Sequence, residues 1–130
     1  MRKLAPGVWA SPQVSPEQLT AAAGAGVRRV INNRPDGEDP GQPTSDEMEA
    51  AARAAGLDYC WVPVRGLPDA AAVERICSAL ADGAPTLLYC RSGGRSAAAW
   101  AMACCAQGAD PAEVRSAAAA AGYDLSRLPL

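Results

Sequence analysis

The sequence predicts an α/β fold with a mostly parallel sheet of about four strands flanked by helices. Short apolar, β-branched runs alternate with well-capped helical segments. Polar and glycine-rich residues collect where the apolar runs end, as in "NRPDGEDPGQ", "RGLPD" and "CRSGGRS". Strands separated by helices need right-handed crossovers, which cover both faces of the sheet. In such folds ligands bind beyond the carboxyl ends of the strands.

The elements follow in order. Gly7–Ala10 is the first strand candidate. "SPEQ" at Ser15–Gln18 then offers a Ser cap, a Pro at the first helical position and a Gln at the third. "RRVIN" (Arg28–Asn32) reads as a strand. "TSDE" (Thr44–Glu47) is a capping box for a helix to about Ala55, stopped by Gly56. "YCWVPV" (Tyr59–Val64) is the third strand. Asp69 can cap a helix to about Asp82, with Gly83 as its stop. "TLLY" (Thr86–Tyr89) is continuously apolar and reads as a buried strand. A helix lies between Ser92 and Gln107, ending at Gly108. "DPAE" (Asp110–Glu113) repeats the cap-plus-Pro pattern, and Gly122 closes that helix.

With 130 residues, the chain is expected to form a single domain over residues 1–130 with a real core. A net charge of -2 gives no general attraction to nucleic acid or to a membrane surface. No apolar stretch approaches the roughly 18 residues of a membrane span. "MRKLAPGVWASPQ" carries basic residues without an apolar segment behind them, so no signal peptide is expected and the cytoplasm is. The five cysteines are odd in number and form no C-x-x-C pair, which argues against a disulfide framework or a zinc ribbon. The absence of histidine removes Cys-His nucleophile pairs and His-ligated metals. No metal and no cofactor is implied.

One cysteine stands apart. Cys90 ends the run "LLYC" and precedes the turn Arg91, Ser92, Gly93, Gly94. Glycines let backbone N–H groups curl inward around an anion. The helix that follows adds its partial positive charge, and Arg95 and Arg91 add full ones. Such a cradle stabilises a thiolate without histidine and also fits an oxyanion or a persulfide sulfur. Ser96 is placed to donate to the thiolate. Cys60, Cys77, Cys104 and Cys105 have apolar neighbours and read as packing residues, with Cys60 a minor candidate for a resolving thiol. Asp69, three positions after Gly66, and Asp36 and Glu38 on the first long loop are the candidate proton donors. For Asp69 a helix cap competes with that role, and for Asp36 a turn position in "PDG" does. Arg34, at a strand end on the same rim, either pairs with Asp36 or Glu38 or reads an anionic substrate. Gln13 ends the first strand nearby.

The stretches "SPQVSPEQL", "GVRRVINNRPDGE", "AAGLDYCWVPV", "LLYCRSGGRS" and "AAAAAGYDLS" carry a resemblance that spans about Val8 to Leu128. The chain resembles the small phosphatase-like family whose members also occur fused to beta-lactamase-like hydrolase domains. That family is similar in turn to dual-specificity and tyrosine phosphatases. The resemblance implies a phosphatase-like fold, with Cys90 as nucleophile and Arg95 as binder of the phosphoryl oxygens. The phrase "YCRSGGRSAAA" is also similar to the active-site phrase of rhodanese sulfurtransferases. Three departures from the phosphatase pattern matter. Cys90 to Arg95 is Cys-x4-Arg rather than Cys-x5-Arg. Tyr89 stands where the pattern has histidine. Arg65 and Gly66 follow "WVPV", where those phosphatases place an acid.

A shorter loop makes a tighter ring of N–H groups, suited to one terminal sulfur more than to a tetrahedral phosphoryl group. Without a general acid an alkoxide also leaves more slowly, by about 10²–10⁴ in rate. Thiol and sulfite leaving groups need no such help. The leading expectation is therefore a sulfurtransferase that forms a Cys90 persulfide from a sulfane sulfur donor and passes it to an acceptor thiol. The alternative is a phosphatase acting on a phosphoester through a Cys90 phosphocysteine, with Asp69 or Asp36 supplying the proton. An anion-binding or persulfide-sensing module without turnover is the third reading. Arg91, Ser92, Gly93, Gly94, Ser96 and Arg34 are the expected substrate-binding residues in each.

Overall fold

A computed structural model describes all 130 residues. The order is β1 (Arg2–Ala5), β2 (Val8–Ser11), α1 (Pro16–Gly24), β3 (Arg29–Asn32), α2 (Ser45–Ala54), β4 (Asp58–Trp61), α3 (Ala70–Leu80), β5 (Thr86–Tyr89), α4 (Gly94–Ala106) and α5 (Pro111–Ala120). The sheet has five strands in the order β1-β2-β5-β3-β4. Its β2-β5-β3-β4 portion is parallel, and β1 joins antiparallel to β2 at one edge.

The expected mostly parallel α/β sheet is therefore present, with one strand more than expected. β1 is the addition. Its sequence "RKLA" has a single buried residue, Leu4, so it carries no apolar run. It exists because Pro6 and Gly7 turn the chain back onto β2, with Gly7 at φ 77. β4 also ends earlier than expected, because Pro63 lacks an N–H for the ladder. Val62 and Val64 continue the edge irregularly, donating to the carbonyls of Asn32 and Asn33 at 2.8 and 2.9 Å.

The helix starts form where their sequences specify, but the capping box expected at Thr44–Glu47 is only half made, since the Glu47 side chain does not return a bond to the Thr44 N–H. Ser15 Oγ accepts from the Gln18 N–H at 3.1 Å and Gln18 Oε1 accepts from the Ser15 N–H at 2.8 Å, a complete capping box. Thr44 Oγ1 accepts from the Glu47 N–H at 3.2 Å. Asp69 Oδ1 accepts from the Ala72 N–H at 2.8 Å, and Asp110 caps α5.

Alternation along the central strands builds a core on each face. Ile31 and Leu88 face α3, α4 and α5, packing with Ile76, Trp100 and Val114. Val30, Leu87 and Tyr89 face α1 and α2, packing with Leu19 and Met48. All of β5 is buried. The buried alanines of α4 pack closely against the sheet, and the loop between β5 and α4 joins these two buried elements. No helix is long and apolar enough to cross a membrane.

Candidate active site

The loop after β5 begins at Cys90, which is fully buried, with 0% of its surface exposed. Its N–H donates to the Ser11 carbonyl at 3.3 Å, so the end of β2 fixes the start of the loop. Gly93 then turns at φ 93, in the left-handed region that favours glycine. This turn aims the Gly93 N–H at Cys90 Sγ, 3.1 Å away. A side chain at Gly93 would overlap the Tyr123 hydroxyl, which reaches the loop from beyond α5. α4 starts at Gly94 and presents its N-terminus to the same loop.

Arg95, in the first turn of α4, is held from its far end. Its Nη1 and Nη2 donate to Glu38 Oε2 and Oε1, both at 2.8 Å. Nη1 also donates to the Val64 carbonyl at 2.7 Å. A guanidinium has five N–H groups. Three are therefore committed, and the two that remain, on Nε and Nη2, share one edge. Arg95 has a raised pKa, caused first by the hydrogen bond with Glu38, against the lowering effect of burial, and further by the charge of Cys90. Cysteine sulfur and arginine thus belong to one electrostatic unit.

Glu38 is the hub of a wider network. Arg34 is buried at the end of β3, and its Nε donates to Glu38 Oε1 at 3.1 Å. Its Nη1 donates to Gln13 Oε1 at 3.0 Å and its Nη2 to Asp39 Oδ2 at 2.6 Å. Asp39 Oδ2 also pairs with Arg91 Nε at 3.1 Å. Arg95 first, and Arg34 after it, hold the Glu38 carboxyl below its usual range against the opposing effect of burial. Arg34 thus takes the salt-bridge option, with Glu38 and Asp39 rather than with Asp36.

Several expected roles change on these geometries. Asp69 serves as the α3 cap. Asp36 Oδ1 accepts from the Ser45 N–H at 2.8 Å, tying the long loop to the start of α2. Both carboxylates line a cavity of about 420 Å³ together with Trp61, Arg65 and Leu67, and no residue of the Cys90–Arg95 loop lines it. Each is therefore engaged with a backbone amide instead of being free above the cysteine. Glu38, the remaining candidate donor, is a paired carboxylate. Ser96 donates to Asn33 Oδ1 at 2.8 Å, so its hydrogen is not directed at Cys90 Sγ. Ser92 and Arg91 are exposed on the rim. Tyr89, at the position before the cysteine, is fully buried, and burial above all pushes its phenol pKa well up.

Asp39, Asn33, the Val64 carbonyl and Tyr123 were not evident from the sequence as site residues. The clue for Asp39 was charge: "GEDP" supplies two acids shortly after Arg34 at the strand end. Cys77, Cys104 and Cys105 pack against the core, as their neighbours suggested. Cys104 has its pKa pushed up to about 11, mainly by burial.

Residues 1–109 match the family model described as "Beta-lactamase hydrolase-like protein, phosphatase-like domain". A beta-lactamase hydrolase-like protein from Xylella fastidiosa (strain Temecula1) is 38% identical over 122 residues, covering 90% of this chain and 28% of the relative. The chain thus spans less than a third of the length of that relative. Among solved structures, a candidate phosphatase from Neisseria meningitidis superposes with a TM-score of 0.80 at 30% identity, covering 97% of this chain and 91% of the other. The kinase associated phosphatase superposes with a TM-score of 0.75 at 15% identity over 95% of this chain and 84% of its own, a likeness of fold alone. These findings back the phosphatase alternative over the sulfur-transfer expectation. The chain belongs to the phosphatase-like domain family of beta-lactamase hydrolase-like proteins.

Proposed function

We propose that the chain hydrolyses phosphoesters whose leaving groups need little protonation, with Cys90 as nucleophile. The observation that carries this is the Gly93 N–H directed at Cys90 Sγ at 3.1 Å, beside an arginine with one edge of N–H groups uncommitted. Family and fold support it. The Cys90 thiolate attacks phosphorus and the P–O bond to the leaving group breaks, giving a phosphocysteine and an aryl oxide. Water then attacks the phosphocysteine, releasing inorganic phosphate and restoring the thiolate. Loop N–H groups and Arg95 stabilise the charge on the non-bridging oxygens. The candidate acids are engaged as caps or paired with arginine, so aryl phosphates are the favoured class. Alkyl phosphates should react slower by about 10²–10⁴, the contribution of a general acid.

Sulfur transfer is the second reading, favoured by the Cys-x4-Arg spacing and by the same lack of an available acid. In that reaction the thiolate attacks the outer sulfur of thiosulfate, sulfite leaves, and the persulfide passes its sulfur to an acceptor thiolate. Steady-state assays separate the two. Hydrolysis of an aryl phosphate that disappears in Cys90→Ser and falls at least about 10²-fold in Arg95→Lys supports the first. Absence of hydrolysis together with cyanide-dependent thiocyanate formation from thiosulfate would replace it with the second.

A further inference from the structure

We infer that Glu38 sets how tightly the cysteine loop holds an oxyanion, acting as a built-in counter-anion that opposes phosphate binding. The inference rests on the reading of the loop as a phosphoryl site.

The charges around the loop are nearly balanced before any ligand arrives. Arg34, Arg91 and Arg95 supply three positive charges, and Glu38 and Asp39 answer with two negative ones. Glu38 takes the end-on fork of Arg95 with both of its oxygens and also accepts from buried Arg34. An oxyanion at the loop meets a guanidinium with two N–H groups left, and a carboxylate directly behind it. The arginine lies nearer to such an anion than Glu38 does, but in a partly buried setting screening is weak, so repulsion from Glu38 still offsets part of the attraction.

Positioning alone predicts the opposite effect. If Glu38 served only to aim Arg95, neutralising it would loosen the guanidinium and weaken anion binding. If it acts as a counter-anion, neutralising it strengthens anion binding, because Gln keeps an acceptor for one N–H while removing the charge. The two accounts differ in sign. A weak hold on phosphate would also suit turnover, since inorganic phosphate is the product that must leave the loop.

The test is a titration of inorganic phosphate into the ¹⁵N-labelled full chain, following the amide signals of Gly93 and Gly94. We expect phosphate to shift both signals in wild type, and Glu38→Gln to bind it about tenfold more tightly. Asp39→Asn, one step further from Arg95, should tighten binding less. The spectra themselves report whether each variant is folded, and Glu38→Ala provides a second neutral variant. Loop shifts with equal or weaker binding in the folded neutral variants would overturn the role of Glu38 and leave the phosphoryl site standing. No loop shift in any folded protein would overturn both.

Discussion

In the proposed reaction Cys90 and Arg95 act through what fixes them in place. The sulfur has a backbone donor at 3.1 Å, and the guanidinium is gripped by Glu38 and Val64. Preorganised donors of this kind cost no reorganisation during the reaction. The two aspartates that looked like proton donors are better explained as braces. Asp69→Ala should therefore cost about 0.5–2 kcal/mol of stability, the usual effect of losing a helix cap. Turnover of an aryl phosphate should persist in that variant. A chemical denaturation curve and a rate measurement on the same sample check both halves, and loss of turnover in a stably folded Asp69→Ala would restore it as an acid.

The loop and the elements around it set the next level. Gly93 combines a left-handed backbone with close approach to Tyr123, and its N–H faces Cys90 Sγ. Gly93→Ala should destabilise the fold by about 1–3 kcal/mol and reduce the rate more than a surface glycine change would. Thermal melting and kinetics compared with Gly41→Ala, a left-handed glycine whose added methyl would touch nothing, separate strain from the site effect. Loop length is the other variable. Inserting one glycine between Ser92 and Gly93 widens the ring of N–H groups and restores the Cys-x5-Arg spacing. The expected result is stronger phosphate binding, read by titration, with sulfur transfer from thiosulfate reduced if it occurs at all.

Across the whole molecule, the network that builds the site also links it to pH. Glu38 has a folded pKa below its ordinary value of 4.5. Its ion pairs therefore stabilise the fold at pH values above 4.5 and cease to do so as pH falls through the lower folded value. Glu38→Gln should be less stable than wild type at neutral pH, and the difference should shrink in acid, as denaturation at several pH values will show. Most of the architecture was legible from capping residues and apolar runs, because both are local signals. β1 was not, since a strand with one buried residue owes its place to a turn and a neighbour. Cys90, Gly93, Arg95 and Arg34 were legible as residues at strand ends beside glycine. The pairing of Arg95 with Glu38 was not, because it joins residues 57 positions apart, one in the first turn of α4 and one on a loop, that only the sheet brings together. The engagement of Asp36 with the start of α2 spans only nine positions and was hidden instead by the turn position that "PDG" offers it.

The central claim is that Cys90 attacks phosphorus, and the most direct test is to catch what it carries. Rapid acid quench of the enzyme turning over an aryl phosphate, in a mixture that also contains thiosulfate, followed by peptide mass analysis, identifies the group on Cys90. The account predicts a phosphoryl group on the Cys90 peptide, absent in Cys90→Ser. A single added sulfur with no phosphoryl group would contradict it and assign the loop to sulfur transfer.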